Sequence, residues 1–204
     1  NILSSQPWFT ALSSNIVLYS LFLGLTAGLF EEVGRFLGFK LLLKNRLEWK
    51  NGIAYGIGHG GIESILLVGL VYINNLLYSV LINSGAFDSI IAPQIPADTA
   101  AMIKAQLLNT SPYMFAAAGV ERIFAIILQI AFSIIVLYGV MNKSYKYLLY
   151  AILLHTLVDM LLPILSNAGT GIWGLELYLL AAATTAFIFL IRSRSRFEHE
   201  QPPS

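Results

Sequence analysis

Nine ionisable side chains lie within stretches of this chain that are otherwise apolar. Each costs on the order of 2–3 kcal/mol or more at the centre of a membrane-spanning helix unless it is paired or hydrated, so we expect them to face one another or water. Carboxylates and imidazoles, the types that prevail here, are also those that activate water or bind metal ions. The nine are Glu31, Glu32, Arg35, His59, Glu63, Glu121, Arg122, His155 and Asp159.

A carboxylate beside an imidazole can hold a water molecule and take its proton. Either Glu31 or Glu32 could form such a pair with His59, and a nearby arginine would keep one of two adjacent glutamates ionised. His155 could donate a hydrogen bond to a developing oxyanion, with Asp159 setting its orientation. These five residues are the predicted catalytic set.

Arg35 and Glu63 are the predicted supporting residues of this site. The same chemistry could instead hold zinc, since imidazole nitrogens and carboxylate oxygens are both zinc ligands. The chain has no HExxH motif, and the acid–base arrangement works without a metal, so no metal site is firmly predicted and a zinc site remains the alternative. Its ligands would come from His59, Glu63, His155 and Asp159, with a carboxylate of the glutamate pair also acceptable.

The composition indicates that membrane-spanning helices hold these residues in place. Of 204 residues, 57% are hydrophobic and 11% charged, against roughly 25% charged in soluble domains. Apolar segments long enough to cross about 30 Å of hydrocarbon recur along the chain. The sequence predicts an all-α polytopic bundle with five spans, and an additional interfacial helix near residues 97–108. The spans are residues 8–39, 52–82, 114–140, 147–165 and 172–191.

Basic residues cluster in the first and third connections and after the last span, so these regions are predicted to be cytoplasmic. We therefore expect residues 1–192 to form one transmembrane domain in the cell membrane, followed by a polar cytoplasmic tail at 193–204. The lipid bilayer is the surrounding partner. No basic patch suited to nucleic acid is visible, and with no cysteine the chain has neither disulfides nor thiolate ligands.

Distances along the chain predict that the ionisable residues converge. Glu31 lies nine residues before Lys40, and His155 lies nine after Lys146. His59 likewise lies nine residues after Lys50, so three helices would carry these side chains about 13 Å from the same membrane surface. Glu63 and Asp159 would form a second tier about 6 Å further in. Glu121 and Arg122 should lie near the opposite surface as a structural ion pair or an interfacial anchor, with a part in substrate entry as the alternative.

Glycines recur on the helices that carry these residues. On the first span Gly24, Gly28, Glu31, Arg35 and Gly38 lie near one stripe, with Glu32 about 100° away. On the second span, glycines at 52, 56 and 60 share a face. Such small-xxx-small runs let helix backbones approach closely, so we interpret these glycines as packing positions.

Three segments resemble motifs of a known family. EEVGR at 31–35, GIGHGGIE at 56–63 and HTLVD at 155–159 look like motifs of the YhfC family of bacterial intramembrane proteases. More distantly they are similar to the CAAX-protease and bacteriocin-processing (CPBP) glutamate-type endopeptidases. Here the first motif is one residue shorter than the usual EExxxR, and Tyr55 stands where phenylalanine is usual.

The resemblance implies hydrolysis of peptide bonds in membrane-embedded protein or peptide substrates. Glu31 or Glu32 with His59 would activate water, while His155 and Asp159 would support the oxyanion, without a required cofactor. Two alternatives remain open. A proton- or ion-coupled transporter would also use buried acids and histidines, and a non-catalytic scaffold could use them to join helices.

Overall fold

The computed structural model describes residues 6–200, and side chains as far as Glu198. Every regular element in this range is helical, which confirms the predicted all-α class. The α-helices are α1 (Pro7–Ser13), α2 (Ile16–Leu37), α3 (Trp49–Ser64), α4 (Leu70–Asn83), α5 (Phe87–Ile90), α6 (Ala97–Asn109), α7 (Pro112–Met141), α8 (Lys146–Asn167) and α9 (Ile172–Glu200).

Five helical segments within the described range are long and apolar enough to cross a membrane, as predicted. Two of them continue through short π-helical turns: α2 runs into Gly38–Leu42, and Ile65–Gly69 joins α3 to α4. The segments are Ile16–Leu42, Trp49–Asn83, Pro112–Met141, Lys146–Asn167 and Ile172–Glu198.

The first predicted span begins too early. A separate short helix, α1, occupies its start, and the spanning helix begins only at Ile16. Asn15 causes the break, because its side chain accepts hydrogen bonds from the backbone N–H groups of Val17 (3.0 Å) and Leu18 (3.2 Å). This is an N-cap, which starts a new helix instead of continuing the previous one.

The last helix is longer than predicted, because it continues past residue 191 to Glu200. Two interactions hold this extension: Trp49 donates a hydrogen bond to Oγ of Ser193 (2.9 Å), and Phe197 is buried in the core. Much of the predicted tail is therefore helical, although residues 201–204 lie outside the described range. The membrane side on which it lies remains a prediction.

The chain forms two compact units. The first contains the residues up to Gly60 and those from Phe124 onwards, and the second contains Gly61–Ile123. In the second unit Phe87 is buried against Tyr78, with ring centroids 5.8 Å apart, and Lys104 on α6 forms a 2.7 Å ion pair with Asp88. Helix α6 matches the additional helix predicted near residues 97–108, and its interfacial position remains a prediction.

Glycines bring the helices of the first unit into close contact, as predicted. A methyl group on Gly24 would lie 2.8 Å from the carbonyl oxygen of Thr156, and one on Gly28 would lie 2.9 Å from that of Ile152. Helices α2 and α8 therefore pack backbone to backbone, which is the geometry that small residues permit in membrane bundles.

Helix α3 packs on α7 in the same way, and this contact gives a direct test. A methyl group on Gly56 would lie 2.5 Å from Cα of Ile130, so the two backbones would have to separate. We expect Gly56→Ala to destabilise the protein by about 1–3 kcal/mol, as overpacking does elsewhere. Thermal unfolding in detergent micelles measures the change.

Gly58 provides the matched control on the same helix, because no described atom lies within 4 Å of its added methyl group. There, alanine should stabilise the helix by about 0.5–1 kcal/mol through its better helix propensity. Equal effects of Gly56→Ala and Gly58→Ala would contradict the proposed close packing of α3 on α7.

Candidate active site

Four helices contribute first-unit side chains to the candidate site. Helix α2 provides the two adjacent glutamates, α3 provides His59, and α8 provides His155 and Asp159. The fourth helix, α7, contributes residues that the sequence analysis did not single out. The convergence predicted from chain distances is present, because side chains from these helices meet within hydrogen-bond range.

One oxygen atom of Glu31 lies at the centre of the site. Its Oε2 lies 3.0 Å from Nε2 of His59 and 3.9 Å from Nε2 of His155. The same atom accepts a hydrogen bond of 2.9 Å from Nε2 of Gln129. The Glu31 side chain remains 30% exposed, so this meeting point is not sealed inside the bundle.

Glu32 has a different environment from its neighbour. Its side chain is fully buried, forms an ion pair with Nε of Arg35 at 3.3 Å, and lies 2.8 Å from Nδ1 of His155. The buried face of α2 therefore contains Gly24, Gly28, Glu32 and Arg35. The sequence analysis placed Glu31 near this stripe and Glu32 about 100° away; in the structure Glu32 is the buried one of the two, because the close contact with α8 sets the rotation of the helix.

Arg35 connects the buried glutamate to α7. Its Nη1 donates hydrogen bonds to the backbone oxygen of Gln129 (2.6 Å) and to Oγ of Ser133 (2.9 Å), and its Nη2 donates to Oε1 of Gln129 (2.5 Å). A buried guanidinium must be paired and hydrogen-bonded to be tolerated. The network meets this requirement, and the supporting role of Arg35 in the site remains a prediction.

Both nitrogens of His155 are engaged. The ring stacks on Phe132, with centroids 4.8 Å apart and an interplanar angle of 13°. Because an ionised carboxylate only accepts hydrogen bonds, Nδ1 donates to Glu32, and Nε2 faces Oδ2 of Asp159 at 3.4 Å. By the same rule Nε2 faces the carboxylates of Asp159 and Glu31 as an N–H donor, and a metal ion bound there would replace that proton.

Sequence reasoning missed Gln129, Ser133 and Phe132. Gln129 and Ser133 lie one turn apart on α7, and a side-chain amide and a hydroxyl four residues apart in a strongly apolar span are a readable signal. The prediction considered only ionisable groups in the spans and therefore passed over them. Nothing in the sequence distinguishes Phe132 from the other aromatic residues of the spans.

Three of the nine ionisable residues belong to the second unit. There Arg122 pairs with Glu121, and its Nη1 lies 3.8 Å from Oε1 of Glu63. The predicted Glu121–Arg122 ion pair is therefore present. Glu63 was predicted as a supporting residue and as a zinc ligand, and both roles remain predictions, since the site described above contains first-unit residues alone.

Neighbouring pairs of donor atoms in the site are spaced roughly as two zinc ligands are. Two ligands of a tetrahedral zinc at 2.0–2.1 Å lie about 3.4 Å apart. The separations of neighbouring donors here are 3.0 Å from Glu31 to His59, 3.9 Å from Glu31 to His155, and 3.4 Å from His155 to Asp159. In addition, the Glu32–His155 contact is the carboxylate–histidine arrangement that orients metal-binding imidazoles.

Comparisons with known proteins agree with this chemistry. A family model described as YhfC intramembrane metalloprotease matches residues 1–183. The chain is also 42% identical over 141 residues to the Bacillus subtilis (strain 168) protein named uncharacterized membrane protein YhfC. That alignment covers 69% of this chain and 55% of the relative, so the chain spans about half the length of the curated protein it matches. No solved structure matches.

Proposed function

The chain belongs to the YhfC intramembrane metalloprotease family, and from this membership we propose that it hydrolyses peptide bonds of membrane-associated proteins or peptides. The observation that carries the proposal is the meeting of Glu31, His59 and His155 at one partly exposed oxygen atom. Buried acid–base groups in membrane spans mark functional sites by default, and this set has the composition of a hydrolytic one.

The family description favours the zinc-dependent alternative over the metal-free mechanism that the sequence analysis placed first. We propose Glu31, His59 and His155 as the ligands, which is the His₂Glu set of several catalytic zinc sites. A zinc ion held there would lower the pKa of a bound water and polarise the peptide carbonyl.

The other residues have distinct proposed roles. Asp159 is 41% exposed and lies beside Nε2 of His155, so its carboxylate is placed to accept a proton from the attacking water. Glu32, held by Arg35, keeps the His155 ring in position through Nδ1. In this proposal Glu31 takes part in the chemistry, whereas Glu32 orients His155.

Exposure also favours the protease over the alternatives. Residues that only join helices should be fully buried and paired, whereas Glu31 and Asp159 are 30% and 41% exposed. A proton- or ion-coupled transporter remains the second hypothesis, and no specific contact favours it. Transport without peptide cleavage by the purified protein would support that hypothesis instead.

Metal content tests the proposal directly. We expect the protein purified in detergent to contain about one zinc per chain, and a chelator to abolish cleavage of a membrane-presented peptide library until zinc is restored. His59→Ala and His155→Ala should each lose most of the zinc, as measured by elemental analysis. His199→Ala is the matched control, because the third histidine of the chain is not one of the proposed ligands.

The two mechanisms give different results in this experiment. Full cleavage by a zinc-free protein in chelator would contradict the metal site and leave the Glu31–His59 pair as the metal-free water activator. Absence of cleavage in every condition, with zinc bound, would contradict the protease itself.

A further inference from the structure

The structure assigns a positioning role to Gln129: its amide links the buried Glu32–Arg35 ion pair to Glu31 and holds the Glu31 carboxylate in its working orientation. This inference rests on the proposed function. Gln129 is 4% exposed and lies on α7, outside the three motifs that carry the family resemblance.

The orientation of the Gln129 amide follows from its partners. Arginine can only donate hydrogen bonds, so the atom facing Nη2 of Arg35 at 2.5 Å must be the carbonyl oxygen Oε1. The NH₂ group is then directed toward Glu31, where it donates to Oε2 at 2.9 Å. The reversed amide would place an NH₂ group against a guanidinium, which is repulsive.

The backbone around Gln129 is also fixed. Its carbonyl oxygen accepts from Nη1 of Arg35 (2.6 Å) and from Oγ of Ser133 (2.8 Å). On the other side, a methyl group on Gly60 would lie 3.1 Å from Cβ of Gln129, so the missing side chain at Gly60 allows α7 to approach α3 this closely. The amide therefore has little freedom to move away from Glu31.

This geometry has a consequence for the site. Without the amide donor, Glu31 would keep only the imidazole contacts, and its carboxylate could rotate toward the open side of the site. Partners that hydrogen-bond to a metal ligand typically contribute about 10–100-fold to metal affinity or activity. Gln129 has the geometry of such a partner, because it hydrogen-bonds to Glu31 and is not itself a proposed ligand.

Two substitutions distinguish a role of Gln129 in positioning Glu31 from a purely structural contact with Arg35. Gln129→Met roughly keeps the shape of the side chain and removes both the carbonyl acceptor and the NH₂ donor of its amide. We expect it to lower zinc affinity, measured by competition with a chromophoric chelator, by about 10–100-fold, and to lower kcat by a similar factor with little change in KM. Gln129→Glu keeps an acceptor for Arg35 and removes the donor to Glu31, so its kcat should fall at least as far.

Ser133→Ala is the matched control, because the Ser133 hydroxyl hydrogen-bonds with Arg35 and the backbone oxygen of Gln129 rather than with Glu31. It should change zinc affinity and kcat by less than about threefold. Thermal unfolding of each variant in detergent shows whether it is folded. If Gln129→Met does not fold, the kcat of Gln129→Glu tests the positioning role.

The outcomes are distinguishable. Wild-type kcat in Gln129→Glu, with or without a loss in Gln129→Met, would reduce Gln129 to a structural partner of Arg35 and overturn this inference while the protease stands. Wild-type protein that neither cleaves peptides nor binds zinc would overturn the proposed function, and the inference with it. If zinc-free wild-type protein cleaves peptides, zinc affinity no longer bears on the inference. The kcat values of the Gln129 variants then test it.

Discussion

Glu31→Gln is expected to abolish peptide cleavage while leaving the protein folded. The substitution replaces the oxygen that His59 and His155 both approach by part of a neutral amide, so the site loses a carboxylate ligand and an acceptor of protons. We expect a loss of about 10²–10⁴-fold in kcat, the range typical for a positioned acid or base. Bound zinc should fall in parallel.

Stability should change little in this variant. The Glu31 side chain is partly exposed, and the amide of glutamine has the same shape and can still hydrogen-bond, so the free energy of unfolding should shift by less than about 1 kcal/mol. Cleavage kinetics and thermal unfolding measured on the same sample check both parts. Wild-type cleavage rates in Glu31→Gln would remove the central residue of the proposed site.

Glu32→Gln, unlike Glu31→Gln, should strongly destabilise the protein, although the two residues are adjacent. Its carboxylate is fully buried against Arg35, and neutralising it leaves the guanidinium as an uncompensated buried charge. Removing one partner of a buried ion pair costs about 3–5 kcal/mol. We therefore expect a marked fall in unfolding temperature, measured by differential scanning fluorimetry in detergent.

A double substitution tests the reason for this instability. In Glu32→Met/Arg35→Met both charges are removed together, and apolar replacements of a buried pair are often neutral or even stabilising. The double variant should regain at least about half of the lost stability, as a thermodynamic cycle would show. Its cleavage activity should stay low, because Nδ1 of His155 has lost the carboxylate that orients it.

If the double variant is unstable and Glu32→Gln is stable, the uncompensated charge of Arg35 is not the cause of the instability. Equal profiles for Glu31→Gln and Glu32→Gln would contradict the division of labour between the two glutamates. The comparison is informative because both substitutions are isosteric and concern neighbouring positions of one helix.

Much of the architecture was readable in the sequence. Apolar length fixed the five spans, because crossing hydrocarbon requires about 20 residues of helix. The chain offsets from Lys40, Lys50 and Lys146 predicted that α2, α3 and α8 would present their polar side chains at one depth, and the distances around Glu31 agree. The start of the first span was predicted wrongly, because Asn15 caps α2 and separates it from α1.

The sequence by itself therefore determined the number of spans, their polar residues and the meeting of these residues at one level of the bundle, since length, charge and helical rise are properties of single segments. Only the tertiary structure decided that Glu32 is buried, that Glu31 faces the histidines and that Gln129 joins the two. The reason is the rotation of each helix about its axis. A soluble helix marks its buried face by hydrophobic contrast, whereas lipid and protein interior are both apolar, so the rotation of α2 depends on how Gly24 and Gly28 pack against α8.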